Sequence, residues 1–233
     1  MVLANPRRAG REERRHADLV KTSFLLTAFL AGIASVHAVA TTTAKPSTPP
    51  PPSCRVGLPP GKYSETSLYT LDSTWTTDAG REVKLNVLRG YPQVVAMFFT
   101  NCQHSCPLIV ADMKSIEKAL PRGVRSKVDF LLVSIDPNRD TPEVLRAFRE
   151  KHRLGTEHWT LLRGSADAVK SLAEKLGFQY YPGSEKQFGH TLVISILNQN
   201  GEIVFQQGGV GALPDGAVDT LVRLLRTNTK GKR

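Results

Sequence analysis

The sequence predicts an α/β sandwich, in which a mixed central sheet is flanked by helices, with one β-hairpin ahead of it and another late in the chain. Three observations carry this. The runs VVAMFF and DFLLVSI are short and continuously apolar, as expected of strands covered on both faces. Segments with apolar residues at helical spacing alternate with them. The alternation then ends in two strand-like runs joined by NQNG and a last helical stretch, so parallel crossovers and an antiparallel hairpin share one sheet.

Each element follows from local chemistry. TLDSTWTTDAGREVKLNVL places strand-forming residues on both sides of the turn signal DAG and predicts a hairpin at 70–89. QVVAMFFT is the first covered strand, and Leu108, Met113, Ile116 and Leu120 mark a helix after Pro107. VDFLLVSID is the second covered strand. In DTPEVLRAFREKH, Thr141 is the N-cap, Pro142 the first helical residue and Glu143 an acid in the first turn. HWTLL reads as a strand, and SADAVKSLAEKLGF as a helix capped by Ser165 and closed at Gly177. HTLVISIL and EIVFQQ form the late hairpin, and Val218, Leu221, Val222 and Leu225 predict a C-terminal helix.

A chain of 233 residues, 40% of them hydrophobic, can bury one substantial core. The formal net charge of +10 is concentrated in part at the ends, where basic blocks read as targeting signals or solvated tails. No pattern of base-stacking aromatics accompanies the charge, so nucleic acid is not an expected partner. Arg7, Arg8, Arg11, Arg14, Arg15 and Lys21 precede the apolar run FLLTAFLAGIASVHAVA, with small residues at Ala38 and Ala40. This is the order of a secretory signal, and the run also falls at the lower edge of the roughly 17–25 residues that span a bilayer. Residues 1–40 are therefore expected to be a signal peptide or an N-terminal membrane anchor, 41–62 a Pro-rich linker, 63–228 the folded domain and 229–233 a basic tail. The domain is expected beyond a membrane, in a bacterial periplasm or a mitochondrial intermembrane space.

TNCQHSCPLI holds two of the three cysteines. At the junction of a strand and a helix, Cys102 and Cys106 meet free backbone N–H groups and the positive end of the helix dipole, which favour thiolates. A thiolate attacks disulfides and also binds metal, so a redox pair, a metal clamp and two buried thiols all remain open readings. The four-residue offset, taken as helical, would put both sulfurs on one face. Thiolates suit Cu(I), and an added imidazole would also suit Cu(II). Zinc is disfavoured because there is no second closely spaced Cys/His pair. His190, before the strand TLVISIL, and His104, between the cysteines, are the first candidate imidazoles. His104 is expected to point away, and His152 and His158 to be solvated. Cys54 lies in the linker and reads as a loop thiol or an intermolecular bridge, since an odd number of cysteines leaves one unpaired within the chain.

With these elements in order, the chain resembles the Sco/SenC family of thioredoxin-like copper proteins from about Tyr69 to Leu225. The marks are FFTNCQHSCP, LLVSIDPNRDTPEVL and FGHTLVISILNQNGEIV. The resemblance implies a thioredoxin-like sandwich and one copper ion, Cu(I) or Cu(II), per monomer on Cys102, Cys106 and His190. It also implies delivery to a respiratory copper enzyme, most commonly cytochrome c oxidase, or a nitrite-reductase-type client. The alternative is a thiol–disulfide oxidoreductase in which Cys102 and Cys106 are catalytic, served by a thioredoxin-like reductant. Asp136 matches the family's Asp-Pro position and is equally a turn residue before Pro137. Gly189 stands where the family commonly has an acid, so the His190 imidazole is expected to be less firmly oriented.

Overall fold

The computed structural model describes residues 63–182 and 188–230. The expected leader, the linker with Cys54, and the last three residues of the basic tail lie outside the described residues. A seven-stranded sheet forms the body, built from β1 (Thr74–Thr77), β2 (Glu82–Lys84), β3 (Gln93–Phe98), β4 (Asp129–Ser134), β5 (Trp159–Gly164), β8 (Val193–Leu197) and β9 (Ile203–Gly208). Its order is β2-β1-β5-β4-β3-β8-β9. Strands β3, β4 and β5 run parallel, while β1 against β5, β8 against β3 and β9 against β8 are antiparallel, which makes the sheet mixed as expected. Every residue of β3 and β4 is buried, the result anticipated from their unbroken apolar runs.

Helices α1 (Ser105–Ala119), α3 (Pro142–His152), α4 (Ala166–Leu176) and α5 (Asp215–Lys230) flank the sheet, with a single turn, α2 (Arg122–Arg125), after α1. The capping signals act as read. The Thr141 hydroxyl accepts from Val144 N–H at 3.4 Å and that of Ser165 from Ala168 N–H at 3.2 Å, while Gly177 closes α4 at φ 63°. Among the described residues, no helix is long and apolar enough to cross a membrane.

The core is centred on Trp75, Phe98, Phe99 and Phe130, with Phe130 stacked on Trp159 at 4.7 Å between centroids. Gly164 is required by close approach, since a Cβ there would lie 2.7 Å from the Trp75 ring. The first hairpin is latched to α3 by an ion pair. Arg149 donates to both carboxylate oxygens of Asp78, at 2.5 and 2.9 Å, with each side chain about 10% exposed.

Several expectations need correction. Residues 85–88, read as part of the second hairpin strand, form a 3-10 turn that buries Leu85 and Leu88. Leu108, assigned to the apolar face of α1, is 50% exposed, because the buried stripe runs through Cys106, Ile109, Val110, Met113 and Ile116. His152 packs on Phe148 at 4.2 Å, and His158 lies half-buried 3.5 Å from Asp129, so neither is simply solvated. His190 does not begin the strand TLVISIL. It ends β7 (Phe188–His190), which pairs with β6 (Tyr180–Pro182) in a separate two-stranded ribbon. The chain leaves that ribbon at Thr191, whose N–H donates to the Gln179 carbonyl at 2.8 Å while its hydroxyl accepts from Gln179 N–H at 3.0 Å.

Candidate metal centre

Sheet register brings the site together. Ala96 of β3 faces Ile194 of the antiparallel β8, so the residues preceding β8 lie beside the C-terminal end of β3. The cysteine turn leaves that end, and His190 arrives there from the ribbon. Among the described residues, Cys102, Cys106 and His190 form a cluster whose ligand atoms all lie within 4.8 Å of one another.

The two sulfurs converge for a reason other than the helical face expected of them. Helix α1 begins at Ser105, so Cys106 is in its first turn while Cys102 precedes it. Cys102 N–H donates to the Phe99 carbonyl at 3.2 Å, and Cys106 N–H donates to Cys102 Sγ at 3.3 Å. The open start of the helix thus grips the first sulfur directly. Thr100, just before the turn, is fixed by the buried Asp140 carboxylate, which accepts from both its N–H and its hydroxyl and also from the Ser134 hydroxyl. Burial pushes the Asp140 carboxyl up, and the hydrogen bonds from Ser134 and Thr100 oppose that.

The two thiols differ sharply. Cys102 is half-buried, which by itself would raise its pKa, but hydrogen bonds from Ser105 and from the backbone at Cys106 and His104 outweigh burial and bring it down to about 6. Cys106 is fully buried, and that burial, only partly offset by a hydrogen bond at Phe99, holds its thiol well above the ordinary range. In the ion-free, reduced protein carrying Cys54→Ser, iodoacetamide should therefore modify Cys102 along a pH curve centred near 6 and leave Cys106 untouched at neutral pH. Peptide mass mapping across pH 5–8 checks this. Equal labelling of both sulfurs at pH 7 would contradict the asymmetry.

Among the described residues, His190 is contacted by a backbone carbonyl and two aromatic rings. A carbonyl oxygen can only accept, so the 2.9 Å contact between Nδ1 and the Thr191 carbonyl requires a proton on Nδ1, and in the neutral ring Nε2, 3.4 Å from Ser105 Oγ, is then the acceptor. Phe99 meets the ring edge-on at 5.7 Å and Phe178 stacks on it at 5.8 Å. Where the family commonly has an acid, at Gly189, the contacts that orient this imidazole come instead from a backbone carbonyl and two aromatic rings. An unprotonated nitrogen beside two sulfurs suits a soft or borderline ion.

His104 is exposed at the N-cap of α1, makes no side-chain capping bond and does not join the cluster, as read from sequence. Asp136 does not join it either. Its carboxylate pairs with Arg139, and its carbonyl accepts from Arg139 N–H and Asp140 N–H, so its role is the turn. Sequence reasoning missed Ser105, Thr191, Phe99 and Phe178. A serine between two cysteines and an aromatic after a helix-closing glycine were visible, but only the fold brings them to His190.

A family model described as SCO1/SenC matches residues 62–221. The SCO1 protein homolog of Bacillus subtilis is 27% identical over 144 residues, covering 60% of this chain and 74% of that protein. The structure of BsSco, described as a member of the Sco family of cytochrome c oxidase assembly proteins with a disulfide switch, is 25% identical with a TM-score of 0.58, covering 65% of this chain and 90% of that one. The copper-bound ScoI of Arabidopsis thaliana, at 22% identity, shares the fold with a TM-score of 0.57, covering 66% of this chain and 96% of that one. The family match spans the cysteine turn, the mixed sheet and the histidine ribbon together, and the chain belongs to the SCO1/SenC family.

Proposed function

We propose that this protein binds one copper ion per monomer as cargo, through Cys102, Cys106 and His190, and delivers it to a respiratory copper enzyme, with cytochrome c oxidase as the leading client and a nitrite-reductase-type enzyme as the other. The observation that carries the reading is the convergence of two sulfurs and an imidazole nitrogen within 4.8 Å of one another. Two thiolates favour Cu(I), and the imidazole makes Cu(II) acceptable as well, which suits an ion that must be taken up and given away. The copper in the Arabidopsis relative and the oxidase-assembly role stated for BsSco support it. In this reading residues 1–40 export the domain or anchor it to the membrane, and 41–62 space it from that surface.

A second reading rests on the unequal thiols. An accessible, acidic Cys102 beside a buried Cys106 has the layout of an attacking and a resolving cysteine, so the pair would reduce client disulfides and be recharged by a thioredoxin-like reductant. His190→Ala separates the two. The reduced variant should hold copper on the order of 10- to 100-fold more weakly or worse, judging by the smaller effects of outer ligand partners, and still form the 102–106 disulfide. Copper titration with a competing chelator measures the first, and mass after oxidation the second. Normal copper binding by His190→Ala together with failed client maturation would favour the thiol reading.

A further inference from the structure

Ser105 has no part in the ligand set, yet it sits between two of its members. It is the first residue of α1 and half-buried, with Oγ 3.3 Å from Cys102 Sγ and 3.4 Å from His190 Nε2. A hydroxyl carries one proton. His190 Nδ1 spends its own proton on the Thr191 carbonyl, so in the neutral ring Nε2 can only accept, and in the ion-free protein it then competes with the Cys102 sulfur for the Ser105 O–H. An ion bound at Nε2 occupies that lone pair. Of the two acceptors, Cys102 Sγ is then the one left to the hydroxyl.

We propose that Ser105 is a positioning residue for copper: without the ion its hydroxyl holds His190 Nε2 and Cys102 Sγ toward one another, and with the ion it donates to the Cys102 thiolate and favours Cu(I) over Cu(II). This rests on the copper reading above. A hydrogen bond to a ligating thiolate withdraws electron density that Cu(II) needs more than Cu(I), which is one way proteins set a copper potential. One electron enters the ion on reduction, no bond to Ser105 is made or broken, and its proton stays on oxygen.

The test compares the full chain carrying Cys54→Ser with the same chain also carrying Ser105→Ala or Ser105→Thr. Each is loaded with copper, and the sulfur-to-Cu(II) charge-transfer absorption and the midpoint potential in poised mediator solutions are recorded. With Ser105→Ala we expect one bound ion, a charge-transfer band moved to longer wavelength, and a Cu(I)-to-Cu(II) affinity ratio lowered on the order of tenfold, equivalent to about 59 mV for a one-electron couple. Ser105→Thr should restore both. In the ion-free protein the ¹⁵N shift of His190 Nε2 should change in the alanine variant and return in the threonine variant. An unchanged band and potential in Ser105→Ala, identical behaviour of the two variants, or complete loss of the ion from Ser105→Ala would each overturn the proposal. If the chain with native Ser105 takes up no copper at all, the underlying copper reading falls, and this inference with it.

Discussion

Once Cys102 and Cys106 are joined by a disulfide, the protein should lose its copper, with retention falling by more than about 100-fold, since removing even an outer partner of a metal ligand costs 10- to 100-fold. On the ligand set proposed above, the bridge removes two of three donors at once, and the remaining imidazole cannot hold the ion alone. Both sulfur atoms already lie within 4.8 Å. Cys102 stands outside the helix, so its side chain can move toward Cys106 without unwinding α1. The chemistry also has a direction. With its thiol near 6, Cys102 is mostly thiolate at neutral pH and is the attacking group, whereas Cys106 keeps its proton until an ion or a disulfide exchange takes it. Oxidising the ion-free protein, confirming the 102–106 bridge by mass and titrating copper before and after reduction is the direct measurement. Undiminished binding with the bridge intact would show that the cysteines are not the clamp.

The largest effect on stability is expected from Asp78→Ala, at about 3–5 kcal/mol, the cost of leaving a buried charge without its partner. Arg149 makes two parallel bonds to the Asp78 carboxylate and further bonds to the carbonyls of Leu154, Gly155 and Trp159. Removing the carboxylate strands a guanidinium that is almost wholly out of water. The double variant Asp78→Ala/Arg149→Met should be less destabilised than Asp78→Ala alone, because it removes the orphaned charge as well. Urea unfolding followed by circular dichroism gives both numbers. A loss below about 1 kcal/mol for Asp78→Ala would place this pair with weak surface ion pairs instead.

How legible the protein was depends on whether a feature is local. VVAMFF, DFLLVSI, Thr141, Ser165 and Gly177 act through their own neighbours, and each does in the structure what its sequence context implies. The two cysteines could be named for the same reason. Their geometry could not, because whether Cys102 lies in the helix or ahead of it turns on where Ser105 starts the first turn. His190 was harder. Nothing in FGHTLVISIL separates a strand from a ribbon followed by a strand; Gln179 does, by holding Thr191 from across the chain. The contacts of the imidazole with Phe99, Phe178 and the Thr191 carbonyl were likewise invisible, so Gly189 drew attention to a missing acid and not to the groups that stand around the ring.

The position of β3 between β4 and β8 has a bearing on how the site comes into being. The parallel partner β4 follows soon after β3 in the chain, whereas β8 comes near the end of the domain. Pairings of such large sequence separation form late, since the entropy of closing the intervening chain is spent before any contact repays it. An emerging polypeptide thus presents the two thiols long before it presents the imidazole. The third proposed ligand arrives with the last pieces of the sheet, so the proposed donor set is complete only in a chain whose β8 has docked.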